Sequence, residues 1–550
     1  MALPKTMQRV LVGSLAVSAL ALAGCSGAAD EPSEPVTLDV QRDQTGTPAG
    51  SGPLDLVTWN LIWGEPSSLD WIYAYADSDN TTLANMCEGL MRQNEDMSLS
   101  LALAEDVQHP DDLTTVFTIR DGVTFWDGTP LTAEDVAFSL NRHLDPDAGS
   151  YWASPFYDRV ESIEATGDRE VTVRFSEPDA LFERMLATAA GIIGSKAYVE
   201  QAGDAYGTAS GGIMCTGPFA FDSWKSGSKI VLKANHDYWD PELRPMVEEL
   251  DLTFVTDEST VANSLLAGDI DGAYMPPLSA TEKLADTGEG DFVLGLGTDW
   301  MAIRPTEKEG PMQQLETRRA LSLILDREAV AQTVFRGTAV PANTPIQPGA
   351  WGYARDTWEA AAEELPELEF DVEQAKQVVD DAGLAGTELT IAIPADSEAE
   401  QKIAEILTAG GEQIGLKLHF ETLPMTSFTE LYFDEKARAA YDAFIVWEYG
   451  AGVADPIVSM SEFTPLSAYN YGNNDDPVLT QSVSDALGTL DEDKRAELLV
   501  TGQRSMVENL ALIPVVNLEN RLYQGERITG ATASRASLYY PWAAKIGSAE

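Results

Sequence analysis

Hydrophobic and polar residues alternate along this chain with two different periods, which predicts a mixture of strands and helices. Alternation at every second residue predicts strands near residues 57–61, 116–119 and 171–175. Apolar residues at three- and four-residue spacing predict helices elsewhere, for example where Val136 and Leu140 share one face. From Leu54 onward the two patterns intermix without an internal repeat.

Capping residues mark where several helices begin. Thr132 and Asp135 form a capping box that opens a helix over residues 133–142. Asp371 and Gln374 open a second helix, which is predicted to end at Gly383. A third helix over residues 400–414 precedes predicted strands at 417–423 and 442–447. Helices that alternate with strands predict an α/β fold.

The first 24 residues have the pattern of an export signal. Lys5 and Arg9 precede an apolar run over residues 10–23, which is shorter than the roughly 20 residues that a membrane span needs. The run ends in Leu-Ala-Gly before Cys25, an arrangement that resembles the bacterial lipoprotein signal. A diacylglyceryl group on Cys25 would supply the two acyl chains that stable anchoring takes. The alternative is an ordinary secretory signal followed by a chance cysteine.

The segment after Cys25 is predicted to be a flexible linker over residues 26–53. It contains no aromatic residue and is rich in Gly, Pro, Ser, Thr and acidic residues, so it has little apolar area to bury. Beyond this segment the chain has two cysteines, Cys87 and Cys215. Disulfides persist in exported proteins, so either a bridge or two buried free thiols fits the pattern.

Length and charge exclude several classes of protein. The 550 residues correspond to three or four domains or to one large composite. The formal net charge is −54 and is spread along the chain, which excludes nucleic acid as a partner because its phosphates would be repelled. The acidic surface serves solubility in a salty or variable environment, or it recruits a cationic ligand.

No catalytic or metal-binding motif stands out. None of the four histidines, at positions 109, 143, 236 and 419, lies three to five residues from another His or a Cys, which argues against zinc. The sequence also lacks a Gly-x-Ser-x-Gly elbow and the glycine patterns of nucleotide-binding loops. We therefore expect no enzyme activity, no metal and no cofactor.

A long motif at residues 117–136, FTIRDGVTFWDGTPLTAEDV, combines two glycine-containing turns with the helix cap Thr132. Further motifs are EPSSLD at 65–70, EGL at 88–90, TGPF at 216–219, LLAGDID at 265–271 and RRAL at 318–321. Together they resemble the oligopeptide- and dipeptide-binding proteins, the large solute-binding subunits of ABC importers. The resemblance extends from Leu54 to about Gly530.

This resemblance implies the two-lobed periplasmic-binding-protein fold, with an extra domain on lobe one and a ligand cleft between the lobes. Lobe one would comprise residues 54–88, 170–299 and 517–550, and its extra domain residues 89–169. Lobe two would comprise residues 300–516. Cys87 and Cys215 then belong to one lobe. The motif at 120–136 is assigned to the scaffold rather than to the ligand.

The resemblance also suggests where the ligand binds. In peptide-binding members, a Trp that closes a strand of lobe two is followed three residues later by an Asp that binds the peptide amino terminus. Here Trp447 would be the wall of the site, but position 450 is Gly, so Glu448 or Asp455 would replace that Asp. Arg304 would bind a solute carboxylate through a bidentate contact. The full set of candidate ligand residues is Trp63, Glu65, Trp152, Trp300, Arg304, Trp447, Glu448, Tyr449 and Asp455.

Each aromatic residue in that set has an alternative role as a core residue at the end of a strand. The predicted function is capture of a peptide or similar small solute by a monomeric lipoprotein on the outer face of the cell membrane. It would deliver the solute to ABC permease and ATPase subunits. Alternatives are binding of an oligosaccharide, an opine or a nickel complex, a surface sensor or adhesin on the same fold, and an extracellular hydrolase.

The lipoprotein signal generates a direct prediction. The variant Cys25→Ser should appear in the culture medium, because the thiol is the lipid acceptor and the anchor needs both acyl chains. Immunoblotting of membrane and medium fractions measures this release. Retention of Cys25→Ser in the membrane fraction would show that the anchor is wrong.

Overall fold

The computed structural model describes residues 38–448 and 450–550. The predicted export signal, Cys25, the first part of the predicted linker and Tyr449 therefore lie outside the described residues. Within the described residues the chain alternates strands and helices, as the patterning predicts.

The strands are β1 Leu54–Asn60, β2 Met91–Gln93, β3 Leu99–Leu101, β4 Ala104–Asp111, β5 Thr114–Ile119, β6 Val160–Gly167, β7 Glu170–Phe175, β8 Phe219–Lys225, β9 Lys229–Ala234, β10 Val247–Thr253, β11 Gly272–Tyr274, β12 Gly290–Gly295, β13 Trp300–Pro305, β14 Ala339–Pro341, β15 Glu388–Pro394, β16 Lys417–Leu423, β17 Ala443–Glu448, β18 Ile513–Leu518, β19 Asn520–Gly525, β20 Ile528–Thr529 and β21 Gly547–Ser548.

The α helices are α1 Asp77–Leu83, α2 Ala133–Asn141, α3 Phe182–Met185, α4 Lys196–Ala202, α5 Glu258–Ala267, α6 Thr281–Asp286, α7 Leu315–Leu323, α8 Arg327–Ala329, α9 Arg355–Glu364, α10 Val372–Asp381, α11 Glu398–Ile414, α12 Met425–Phe433, α13 Glu435–Arg438, α14 Pro456–Ser461, α15 Pro477–Leu487 and α16 Glu492–Glu508. The predicted caps of two of them are confirmed. Thr132 accepts a hydrogen bond from the Asp135 N–H at α2, and Asp371 accepts one from the Gln374 N–H at α10.

Two large sheets define the two lobes. The sheet of lobe one has the strand order β12-β19-β11-β1-β10-β9-β8, and the sheet of lobe two has the order β14-β18-β13-β17-β15-β16. Strand β1 runs parallel to both β10 and β11, and β15 runs parallel to both β16 and β17. The predicted two-lobed α/β fold is confirmed.

The extra domain of lobe one contains its own four-stranded sheet, with the order β4-β5-β7-β6. Strand β7 lies between β5 and β6 in this sheet, although the predicted boundary at residue 169 assigned it to the main body of lobe one. The alternating pattern at residues 171–175 identifies a strand, but it carries no information about the sheet in which that strand pairs.

The chain passes between the two large sheets at two neighbouring places. The first crossing connects the end of β12 at Gly295 to the start of β13 at Trp300, and the second lies at Glu519 between β18 and β19. Asn517 and Leu518 still belong to the sheet of lobe two, so the second crossing falls slightly after the predicted boundary at 517.

The second half of the predicted linker is not free but packs along lobe one. Gln44 N–H donates to the Leu294 carbonyl at 3.1 Å, and Thr47 N–H donates to the Ala531 carbonyl at 3.0 Å. Leu38 and Val40 pack against the apolar cluster of lobe one. For residues 38–53 the prediction was therefore wrong. Composition indicates how much apolar area a segment can bury. Residues 38–53 are instead ordered by hydrogen bonds to backbone groups of lobe one.

A disulfide joins Cys87 to Cys215, with the two Cα atoms 5.1 Å apart. Both cysteines are buried in lobe one. Next to the bridge, Gly217 N–H donates to the Met86 carbonyl at 2.9 Å, so the two chain segments are held together by backbone as well.

Removing the bridge with the double variant Cys87→Ala/Cys215→Ala should lower the free energy of unfolding substantially. The bonded positions are 128 residues apart. For a loop of that size, the chain-entropy model gives about 5 kcal/mol. Urea unfolding of the oxidised protein and the double variant measures the difference. A loss below about 1 kcal/mol would contradict the expected role of the bridge.

Candidate functional site

Two tryptophans from opposite lobes meet at the cleft between the sheets. Trp63 follows β1 of lobe one, and Trp447 lies at the end of β17 of lobe two. Their ring centroids are 6.2 Å apart and the rings are nearly perpendicular, at 89°. Trp63 is 58% exposed, whereas Trp447 is half-buried. At this distance the two rings are in edge-to-face contact, and the exposed Trp63 indole offers an apolar surface to a ligand bound beside the pair.

A hydrogen bond to Asp299 orients the Trp447 indole. Trp447 Nε1 donates to Asp299 Oδ2 at 3.1 Å, and Arg535 Nε donates to the other carboxylate oxygen of Asp299 at 2.9 Å. Arg535 also pairs with Asp77, with 2.6 Å between Nη1 and Oδ1. Burial raises the pKa of Asp299, while the Arg535 guanidinium lowers it. Arg535 thus keeps a buried carboxylate charged where it can orient the indole.

Side chains of lobe one form hydrogen bonds to the backbone of the loop that follows Trp447. Gln93 Nε2 donates to the Gly452 carbonyl at 2.9 Å, and its Oε1 accepts from the Ala454 N–H at 3.0 Å. Arg184 Nη1 of lobe one donates to the Ala454 carbonyl at 3.2 Å. The lobes therefore contact each other directly at the loop beside the tryptophan pair.

Asp455 is a structural residue in this arrangement. Its Oδ1 accepts from the Ile457 N–H at 3.0 Å, which caps α14, and from the Tyr353 hydroxyl at 3.2 Å. Its Oδ2 lies 3.5 Å from Arg184 Nε and 3.7 Å from Arg495 Nη2. Because Asp455 is 1% exposed and two guanidinium groups already neutralise it, it presents no charge to a solute.

The Arg304 guanidinium is already paired with groups of the protein, contrary to the expectation that it binds a solute carboxylate. Its Nη1 contacts Glu462 Oε2 at 2.8 Å and Glu448 Oε1 at 3.3 Å, and its Nη2 donates to the Tyr469 carbonyl at 2.6 Å. The guanidinium also lies over the rings of Phe463 and Tyr471. Because two carboxyl groups already contact one guanidinium, this cluster does not favour an anion.

The remaining candidates serve mainly the scaffold. Glu65 accepts from Trp224 Nε1 at 2.7 Å and from the Gly227 N–H at 2.9 Å, which fixes the turn between β8 and β9. Trp152 is fully buried and donates to the Ala74 carbonyl at 3.0 Å. Trp300 is 1% exposed inside the sheet of lobe two. The structure thus brings together Trp63 and Trp447 at the cleft, with Glu448 directly after Trp447.

Sequence reasoning missed Asp299, Arg535 and Glu462. Asp299 directly precedes the first strand of lobe two. Its position at the crossing between the lobes could therefore have marked it as a candidate from the sequence. Nothing in the sequence near Arg535 or Glu462 indicates their partners, which lie more than a hundred residues away.

In the described part of the chain, no group of three or more His, Cys, Asp or Glu side chains is arranged to hold a metal ion. No helix of residues 38–448 or 450–550 has the length and apolar character of a membrane span.

The chain matches a family model, described as bacterial extracellular solute-binding proteins, family 5 Middle, over residues 98–471. It belongs to family 5 of the bacterial extracellular solute-binding proteins. Proteins of this family bind a solute and are not enzymes, so the cleft is a binding site rather than an active site.

Known proteins that resemble the chain agree with this membership. The oligopeptide-binding protein AppA of Bacillus subtilis (strain 168) is 28% identical over 387 residues, which cover 69% of this chain and 67% of AppA. The oligopeptide-binding protein OppA of the same organism is 24% identical over 494 residues, covering 85% and 88% of the two chains. Among solved structures, the substrate-binding protein CtaP of Listeria monocytogenes has the same fold, with a TM-score of 0.78 at 21% identity over 90% of this chain and 100% of CtaP.

The Asp299 cluster generates a prediction about stability. Arg535→Gln should lower the free energy of unfolding by about 3 kcal/mol at pH 7, because it leaves Asp299 as a buried charge without its cation. Losing Arg535 also raises the pKa of Asp299 further. A carboxyl group with a higher pKa in the folded than in the unfolded state loses stability as pH rises, so the deficit should be larger at pH 7 than at pH 5.

Urea unfolding of both proteins at the two pH values measures this deficit. Arg169→Gln is the matched control, because Arg169 and its partner Glu105 are 45% and 36% exposed in their side chains. The control should cost less than about 1 kcal/mol. A deficit for Arg535→Gln that is equal at both pH values, or larger at pH 5, would contradict the role given to Asp299.

Proposed function

We propose that this chain is the substrate-binding lipoprotein of an ABC importer, and that it captures short peptides on the outer face of the cell membrane. The observation that carries the proposal is the Trp63–Trp447 pair, which joins the two lobes at the cleft. A ligand bound beside these rings would be enclosed as the lobes close. The names of AppA and OppA, both oligopeptide-binding proteins, support peptides as the solute class.

A glycine-rich loop after Trp447 supports a cleft with room for a ligand. Residues 450–452 are Gly-Ala-Gly, and all three have positive φ, at 54°, 52° and 65°. Glycine adopts that conformation without strain and carries no side chain, so the loop stays narrow.

Transport requires partners and an anchor, and both are part of the proposal. The lipid on Cys25 would hold the protein at the membrane, and residues 26–37 would connect that anchor to lobe one. A permease and an ATPase would accept the ligand from the cleft. The sequence motifs, the family and the likeness to importer subunits support this assignment.

Peptide titration tests the proposed function. Tripeptides added to the purified protein should change its tryptophan fluorescence saturably, because closure alters the surroundings of Trp63 and Trp447. Trp63→Ala and Trp447→Ala should each weaken binding by roughly 2–4 kcal/mol, a factor of about 30 to 1,000 in Kd. Isothermal titration calorimetry measures the affinities.

The control is Phe433→Ala, because Phe433 is a large hydrophobic residue that is 71% exposed on α12. Its removal should leave the affinity unchanged. Failure of every tripeptide to bind would reject peptides as the solute. An unchanged Kd in folded Trp63→Ala and Trp447→Ala proteins would remove the tryptophan pair from the site.

A further inference from the structure

A charged cluster that the proposed binding mode does not use lies on the face of the lobe-two sheet opposite the Trp447 side chain. Arg304, Glu448 and Glu462 form its core, and Tyr469 and Tyr471 line it. Glu448 is the last residue of β17 and follows Trp447 directly, so the cluster reaches the same end of that strand as the tryptophan pair.

When both glutamates are ionised, the cluster holds one more negative than positive charge. Both glutamates contact the same nitrogen, Nη1 of Arg304, and no second cation reaches either of them within the described residues. Burial raises the pKa of Glu448, and repulsion by Glu462 raises it further. Burial likewise raises the pKa of Glu462. With its pKa raised to about 8, Glu448 is largely protonated at pH 7, and a cation bound in the cluster would favour its ionised form.

The cluster is recessed but still reaches solvent. The side chains of Glu448 and Glu462 are 16% and 17% exposed, whereas that of Arg304 is 2% exposed. A group that approaches from outside therefore meets carboxylates first, with the guanidinium behind them.

The ring of Tyr471, whose buried hydroxyl has no partner in the described part of the chain, lies 4.4 Å from the Arg304 guanidinium of the same cluster. Tyr471 is 2% exposed, and its hydroxyl has no hydrogen-bond partner among the described residues. It is electrostatically linked to Arg304, Glu448 and Glu462. Buried hydroxyl groups are normally paired, so this one is available to a group that enters the cluster.

We infer that this cluster is a specificity pocket for a cationic side chain of the solute, an ammonium or guanidinium group. Such a group would supply the missing positive charge by charge-assisted hydrogen bonds to Glu448 and Glu462. Rings of Tyr469 and Phe463 beside the pocket suit the apolar stem of a lysine or arginine side chain. The inference rests on the proposed function, since it assigns the pocket to a side chain of the captured peptide.

Matched peptides test the inference. Calorimetry at pH 7 would compare Lys-Ala-Ala, Ala-Lys-Ala and Ala-Ala-Lys with the same peptides carrying norleucine in place of lysine. Norleucine retains the apolar stem and lacks the ammonium group. At one position or more, the lysine peptide should bind at least about tenfold more tightly than its norleucine partner.

Two variants assign the preference to the pocket. In Glu448→Gln and in Glu462→Gln, the ratio of the two affinities should fall to within about threefold of one. Either variant leaves Arg304 with one carboxylate, so neither creates an unpaired buried charge. Glu412→Gln is the control, because Glu412 is exposed on α11 of the same lobe, and it should keep the wild-type ratio.

The outcomes separate this inference from the proposed function. Peptide binding with equal affinity for lysine and norleucine at all three positions would overturn the pocket alone. A lysine preference that survives in both glutamine variants would also overturn it. Absence of binding by any of the peptides would reject the proposed function and the pocket with it.

Discussion

Both the fold and the site depend on the buried Asp299, which lies at the first crossing between the lobes. Its carbonyl accepts from the Leu518 N–H at 2.8 Å, and this bond joins the first crossing to the second. Its carboxylate binds Arg535 of lobe one and the Trp447 indole of lobe two. Asp299 thus connects the crossings between the lobes to the orientation of the Trp447 ring, which is proposed to contact the ligand, and the Arg535 guanidinium stabilises its buried charge.

Contacts between the lobes extend this coupling to the loop beside the cleft. Gln93 and Arg184 of lobe one bind backbone groups at Gly452 and Ala454, and Tyr539 donates to the Ala451 carbonyl at 2.6 Å. These bonds can form only when the lobes are close together. In the proposed binding mode, closure would order the loop next to Trp447 as the tryptophan pair encloses a solute, which would link ligand capture to lobe closure.

Local signals were predictable from the sequence, and long-range pairings were not. The caps Thr132 and Asp371 lie next to the helices they begin, and the strand at residues 417–423 has the predicted bounds, because both depend on neighbouring residues. Asp299 and Arg535 are 236 residues apart, and no local pattern connects them. The order of residues 38–53 could not be predicted for the same reason, because it depends on hydrogen bonds to backbone groups that are distant in the sequence. The strand-end position of Trp447 could be predicted, but the partners that occupy Arg304 and Asp455 could not.

The central claim is that the cleft between Trp63 and Trp447 holds a peptide. Native mass spectrometry of the protein purified from its producing cells, without refolding, tests this claim most directly. The account predicts peptide adducts at one per chain, released on denaturation and absent from the Trp63→Ala/Trp447→Ala double variant. A co-purified sugar, opine or metal complex, or peptide adducts that persist in the double variant, would contradict it.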